Sequence, residues 1–280
     1  MNHSTQQAKA DALRALHHNG HLLVLPNIWN PLGAALLQDI GYAAVATASA
    51  SIAYTNGYDD GEHIPFNDVL KSLQQIVSSV AIPVTADIES GYTANNNQLK
   101  DHIKKLISTG IAGINFEDSH KQNGQLLSIE EQSEKIKLIK NTAAETGVPL
   151  FINARTDVYI KADKAQPAEE KFNEALKRGK AYIAAGADCF FPILMKEKQD
   201  IQNLVAALKA PVNILAVPGV PDLKTLHHIG VARVSLGPGF LKVAIRALKE
   251  IALRLKNYEG LENVTSNAVT SDYLKTLINR

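Results

Sequence analysis

Four times along the chain a helical stretch ends in glycine and, within a residue or two, becomes a short apolar run: DIGYAAVAT (39–47), STGIAGINF (108–116), AAGADCFFP (184–192) and HIGVARVSL (228–236). Glycine suits a helix end because a left-handed backbone costs it little. The runs are apolar on both faces, the pattern of parallel strands covered by helices. Three more runs follow a proline, PVTAD (83–87), PLFINAR (149–155) and PVNILAV (211–217), and HLLVLPN (21–27) opens the series. Helical patterns at 30–40, 66–80, 97–109, 129–146, 167–185, 197–208, 221–229 and 239–256 alternate with these strands. Such alternation predicts a closed (β/α)8 barrel. A doubly wound open sheet would carry a glycine-rich fingerprint after its first strand, where this chain has LPNIWNPLG. Residues 4–19 read as a leading helix and 268–278 as a trailing one, within a tail over 257–280. No Pro-, Gly- or Ser-rich linker divides the chain, so one domain over 1–280 is expected.

Composition removes several classes of function. The net charge is +1 and the basic residues are dispersed, which argues against nucleic acid as a partner. The start of the chain has no apolar signal core, no run approaches membrane-spanning length, and one cysteine, Cys189, permits no intrachain disulfide. A cytoplasmic protein that binds no membrane is expected.

A barrel of this kind carries its chemistry at the carboxyl ends of its strands. Asn27 and Trp29 follow strand 1; Thr47, Ser49, Ser51, Asp59 and Asp60 follow strand 2. Asp87 and Glu89 follow strand 3, Glu117 and Asp118 strand 4, and Arg155 and Asp157 strand 5. Crowded carboxylates repel unless a cation sits among them. An all-oxygen set suits a hard ion, Mg2+ or Mn2+, and no His/Cys set has zinc spacing. Arg155 would then pair with the carboxylate of a small acid. Asp157 reads as a loop or cap residue and Cys189 as a small buried hydrophobe; His17, His18, His227 and His228 read as surface residues.

The segments TASASIAYTNGYDDGE, ADIESGY, NFEDS and INARTD, in that order on successive strands, resemble the isocitrate lyase/phosphoenolpyruvate mutase superfamily over about residues 20–255. The resemblance implies a Mg2+-dependent barrel that cleaves C–C or P–C bonds through an enolate. It makes Asp87 the main metal ligand, puts Glu89 where a second Asp is usual, and joins Asp60 to the metal through water, with Glu117 completing the metal site. It makes Arg155 a substrate binder and places Thr47, Ala48 and Ser49 where backbone N–H groups meet the substrate carboxylate. Arg155, Asp60 and Glu117 are the candidate catalytic residues, and Trp29 and Asn123 further candidate substrate contacts.

One departure narrows this expectation. The Cys-bearing loop of isocitrate and methylisocitrate lyases is replaced by SHKQNGQLLS (119–128), where only Lys121 and Asn123 could serve a lid. A lyase for a small 2-oxo or 2-hydroxy dicarboxylate, similar to an oxaloacetate decarboxylase, is expected. P–C bond chemistry of the phosphonopyruvate hydrolase or phosphoenolpyruvate mutase kind is the alternative, as is a non-catalytic acid-binding protein. A homodimer or homotetramer with the tail against a neighbour is expected from the apolar stripe Tyr273, Leu274, Leu277 and Ile278.

Overall fold

The computed structural model describes residues 3–121, 123–163 and 165–279. The chain opens with α1 (His3–Leu16), then β1 (Leu23–Leu25), β2 (Asn27–Ile28), α2 (Pro31–Asp39), β3 (Val45–Thr47), α3 (Ser49–Thr55), α4 (Phe66–Ser78) and β4 (Val84–Asp87). It continues with α5 (Asn96–Ser108), β5 (Gly113–Glu117), α6 (Ile129–Glu145), β6 (Phe151–Thr156), α7 (Val158–Lys161), α8 (Ala168–Ala184), β7 (Cys189–Pro192) and α9 (Lys198–Leu208). Then come β8 (Asn213–Leu215), α10 (Leu223–His228), β9 (Arg233–Ser235), α11 (Gly239–Lys256), α12 (Leu261–Thr265) and α13 (Ser271–Ile278).

All the strand pairings between these elements are parallel. One run is β2-β3-β4-β5-β6-β7 and the other β1-β9-β8, and a parallel bridge from Phe190 to Val212 joins them. β1 and β2 are halves of one strand, interrupted at Pro26, which has no N–H for the ladder. The ring therefore closes as the expected barrel. Asn27 staples the closure: its Nδ2 donates to Thr47 O (2.8 Å), and its Oδ1 accepts from the N–H groups of Leu236 (2.8 Å) and Gly237 (3.1 Å).

The outer helices bury apolar faces at helical spacing. In α4 the buried positions are Val69, Leu73, Ile76 and Val77, a one-sided stripe against the strands. Each such burial stabilises by roughly 1.5–3 kcal/mol. Helix α6 starts with a capping box: Ser128 Oγ accepts from Glu131 N, and Glu131 Oε2 accepts from Ser128 N.

Helix α1 closes the amino-terminal end of the barrel. Ala10 and Leu13 join Leu25, Ala112, Phe151 and Cys189 in a small internal cluster. Gly113 makes this approach possible, since a Cβ there would stand 2.9 Å from both Leu13 Cδ2 and Phe151 O. His17, expected at the surface, is instead 5% exposed, stacked on Phe151 at 4.2 Å and bonded through Nδ1 to Leu13 O. The helical pattern located it on α1 correctly, but the face it lies on is covered by the barrel floor. His18, His227 and His228 are exposed.

The trailing helix α13 packs back on α2 of its own barrel, with Leu277 buried and Tyr273 OH donating to Asp39 Oδ2 at 2.8 Å. Among the described residues no helix is long and apolar enough to cross a membrane.

Candidate active site

The turn after β4 carries the motif ADIESGY in an unusual backbone. Glu89 (φ 51°), Gly91 (φ 95°) and Tyr92 (φ 60°) are left-handed, a region that side chains other than glycine enter only under constraint. Glu62 supplies the constraint. Its Oε1 accepts from Ser90 N (2.9 Å), Ser90 Oγ (2.7 Å) and Tyr92 N (3.0 Å), while Glu89 Oε1 accepts from Glu62 N (2.9 Å). Glu62 is not among the candidates named from the sequence, although it closes the segment TASASIAYTNGYDDGE two residues after Asp60.

Asp87 ends β4. Its N–H donates to Thr47 Oγ1 (3.1 Å), and its Oδ2 accepts from Ser49 N (3.2 Å) and Ser49 Oγ (3.0 Å). The same hydroxyl lies 3.3 Å from Asp60 Oδ1. The Ser49 N–H, expected to face a substrate carboxylate, is therefore bonded to Asp87, Thr47 is fully buried, and Ala48 is the N-cap of α3. That short helix was not foreseen, because its ASASIAYT stretch lacks a strong periodic stripe.

Glu117, at the end of β5, meets two cations. Its Oε2 lies 2.9 Å from Arg155 Nη1 and its Oε1 2.7 Å from Lys121 Nζ, which is also 2.7 Å from Glu89 Oε2. Arg155 Nε donates to Asp157 Oδ1 (2.6 Å), and Asp157 Oδ2 accepts from Ser119 Oγ. Burial raises the Glu117 carboxyl to about 7, an effect that Arg155 opposes and Asp157 reinforces. Burial also raises Glu89, against the pull of Lys121. Burial works against the charges of Lys121 and Arg155, but their carboxylate neighbours, Glu117 foremost, hold both above their ordinary values.

Lys121 is carried by a compact hairpin. Ser119 and Leu126 form an antiparallel bridge, His120 N donates to Gln125 O (2.7 Å), and Leu127 N donates to Asp118 O (2.8 Å). Asp118 itself turns away from the mouth. Its carboxylate accepts from Arg178 Nη1 (3.0 Å), Tyr182 OH (2.7 Å), Thr156 Oγ1 (2.7 Å) and Asp157 N (2.9 Å), a buried lock between β5, β6 and α8.

These groups surround a cavity of about 310 Å3 whose lining includes Ser49, Asp60, Glu89, Glu117, Lys121 and Arg155. Two expected contacts lie elsewhere. Trp29 lines a separate apolar cavity with Phe240 and Leu277, and Asn123 is exposed, its Oδ1 accepting from Gln125 N (3.0 Å) inside the hairpin.

The four proposed metal ligands separate into two pairs. Glu89 and Glu117 are held by Lys121 and, for Glu117, Arg155. Asp60 and Asp87 share the Ser49 hydroxyl and form no ion pair with the described residues. Among the described residues no three Asp, Glu, His or Cys side chains gather into a ready metal cage. A hard ion that keeps most of its waters needs only one or two carboxylates, which Asp87 and Asp60 can offer. The residues fit a hydrated Mg2+ or Mn2+, with Asp87 and Asp60 the pair outside the ion pairs.

Fold and site together define a parallel (β/α)8 barrel with an acidic mouth, balanced by Arg155, Lys121 and Lys161 at its carboxyl-terminal face. The chain belongs to the phosphoenolpyruvate phosphomutase family, whose model matches residues 13–256. A proposed phosphonomutase from Burkholderia cenocepacia J2315 superposes with a TM-score of 0.84 at 36% identity, covering 88% of this chain and 98% of that one. The 2-methylisocitrate lyase of Bacillus subtilis (strain 168) is 27% identical over 76% of this chain and 68% of its own. The phosphonopyruvate hydrolase of Variovorax sp. (strain Pal2) is also 27% identical, over 91% of this chain and 90% of its own.

Proposed function

We propose that the chain is a Mg2+- or Mn2+-dependent lyase that cleaves a C–C bond of a small 2-oxo or 2-hydroxy dicarboxylate, with oxaloacetate decarboxylation as the simplest case. The observation that carries this reading is one cavity lined by Arg155, Lys121 and Asp60, with Asp87 joined to Asp60 through the Ser49 hydroxyl and neither aspartate in an ion pair with the described residues. A dicarboxylate asks for two cations. Arg155 Nη2 makes no hydrogen bond with the described residues, which leaves it for a substrate oxygen. Carboxylate recognition falls to Arg155 and Lys121 and not to the 47–49 segment, whose Ser49 N–H serves Asp87.

When bound at Asp87 and Asp60, the divalent ion would supply Lewis-acid polarisation of the oxo group. Loss of CO2 leaves the bonding electrons on C3, from where they flow into the oxo group and give the enolate of pyruvate. No protein nucleophile is needed, and no base must remove a hydroxyl proton. Arg155 and Lys121 position the two carboxylates; one departs as neutral CO2 when the bond to C3 breaks, and the other stays held while charge moves toward the oxo oxygen. That demand fits a hairpin without cysteine.

P–C bond chemistry is the second reading, favoured by one observation: the relatives that act as a 2-methylisocitrate lyase and as a phosphonopyruvate hydrolase are equally similar, at 27%. Turnover of oxaloacetate and of phosphonopyruvate, measured with Mg2+ and with chelator, separates the readings. Pyruvate and CO2 from oxaloacetate only with metal supports the first. Phosphate from phosphonopyruvate alone replaces it with the second, and tight oxalate binding without turnover of any oxo acid makes the chain a binding protein.

A further inference from the structure

The barrel interior between the α1 plug and the mouth is polar, where branched apolar side chains usually fill such a layer. Arg233 on β9 is fully buried and forms no ion pair with the described residues. Its Nη2 donates to Asn115 Oδ1 (3.2 Å), which also accepts from Asn153 Nδ2 (2.8 Å). Its Nε and Nη1 have no partner, nor do Asn153 Oδ1, Asn213 Oδ1 and Thr85 Oγ1, all on residues at most 1% exposed. Thr85, Asn115 and Asn153 each stand two residues before a mouth residue, Asp87, Glu117 and Arg155, and so share its face of the strand.

Buried groups that can hydrogen-bond rarely go without partners, and a guanidinium least of all. The stoichiometry says what completes this set. Three unmet N–H groups on Nε and Nη1 stand with two amide oxygens that only accept and a hydroxyl that can do either, on three other strands. A small anion would satisfy the donors and be repelled by the acceptors. Water accepts from the guanidinium and donates to the amide and hydroxyl oxygens, and one molecule can serve two to four such groups.

We propose that the barrel seals a cluster of ordered water molecules around Arg233, directly beneath the acidic mouth, and that this hydration is what lets a charged guanidinium stand in the core without a carboxylate. The inference concerns the barrel interior and does not depend on the lyase reading.

Two measurements test it. The first is a crystal structure of the full chain, with a second crystal soaked in bromide. Water peaks within hydrogen-bond distance of Arg233 Nε and Nη1, bridging to Thr85 and to Asn153 or Asn213, are expected. A dry interior, an anomalous bromide peak beside Arg233, or a guanidinium turned onto Asp87 would each overturn the proposal. The second is Thr85→Val, followed by thermal unfolding. If Thr85 Oγ1 bonds to the cluster, removing it strands a water and lowers the midpoint by several degrees. If the hydroxyl has no partner, valine leaves the midpoint unchanged or raises it, and the proposal fails.

Discussion

The ammonium of Lys121 lies 2.7 Å from Glu117 Oε1, so a strand-end carboxylate is neutralised by a residue only four positions on, carried back over it by the hairpin that follows. The same nitrogen also bridges Glu89. One flexible side chain thus ties the turn after β4 to the end of β5.

Lys121→Met leaves Glu89 and Glu117 buried without that partner. Breaking a buried pair costs about 3–5 kcal/mol; with Lys121 partly solvent-facing, about 1–3 kcal/mol is expected. Denaturant unfolding at neutral pH reads this directly, and oxalate should bind at least tenfold more weakly. An unaltered midpoint and oxalate affinity would show the lysine to be ornamental.

Asp87→Ala should abolish divalent-ion binding by the chelator-treated protein in calorimetric titration, because Asp87 and Asp60 are the mouth carboxylates outside any described ion pair. Glu89→Gln should weaken binding far less, since Lys121 already occupies Glu89. Equal affinities in the wild type and Asp87→Ala would refute the assignment.

Cys189 is fully buried in the barrel and its thiol is pushed up to about 12 by burial, so it is neither a nucleophile nor an acid at neutral pH. Cys189→Ala should keep whatever activity is found to within a few-fold, at a cost of about 1 kcal/mol in packing. A folded variant that loses more than a hundredfold sinks this.

His17 gives the protein an acid-sensitive floor. Burial, reinforced by Arg233, lowers its imidazole from 6.5 to about 3. Between those values the unfolded chain takes up a proton that the folded chain refuses. Its contribution is therefore fully present above pH 6.5 and is lost as pH falls toward 3, at up to about 1.4 kcal/mol per pH unit. Stability measured from pH 7 to 4 should fall less steeply in His17→Leu; parallel curves would rule His17 out as the cause.

On assembly, α11 leaves Val243 (56%), Ile245 (55%), Leu248 (67%) and Leu253 (54%) exposed. These side chains are spread around the helix, and α11, exposed over most of its circumference, should meet a second copy. Light scattering should give a dimer or tetramer, and Leu248→Glu should dissociate it. A monomer at micromolar concentration refutes the expectation.

The strands were legible because a glycine stop followed by an apolar β-branched run carries both boundary and type, as in STGIAGINF. Pairing Asp87 with Glu89 and Glu117 with Arg155 at one face was legible for the same reason: strand ends of a parallel barrel share one mouth. Directions of side chains were not. Nothing in NFEDS distinguishes Glu117, which faces the mouth, from Asp118, which is claimed by Arg178 and Tyr182 far down the chain. Trp29 follows a strand as a site residue would, yet the apolar cleft against Phe240 and the tail takes it. His17 sits on a helix whose partner is the barrel floor, and periodicity names an apolar face without naming what covers it.

The plug at the barrel floor also orders events in time. Gln6 Nε2 donates to the carbonyls of Ile107 and Ile111, each at 2.8 Å, and Leu13 packs against Gly113 and Phe151. Helix α1 can therefore find its full seat only after the chain has been made through Phe151. Until then its apolar face is exposed, and the long loop it must close makes its docking a late, slow event. Helix α1 is thus a latch that waits on the middle strands, and the interval before it closes is when a nascent chain is most open to misassociation.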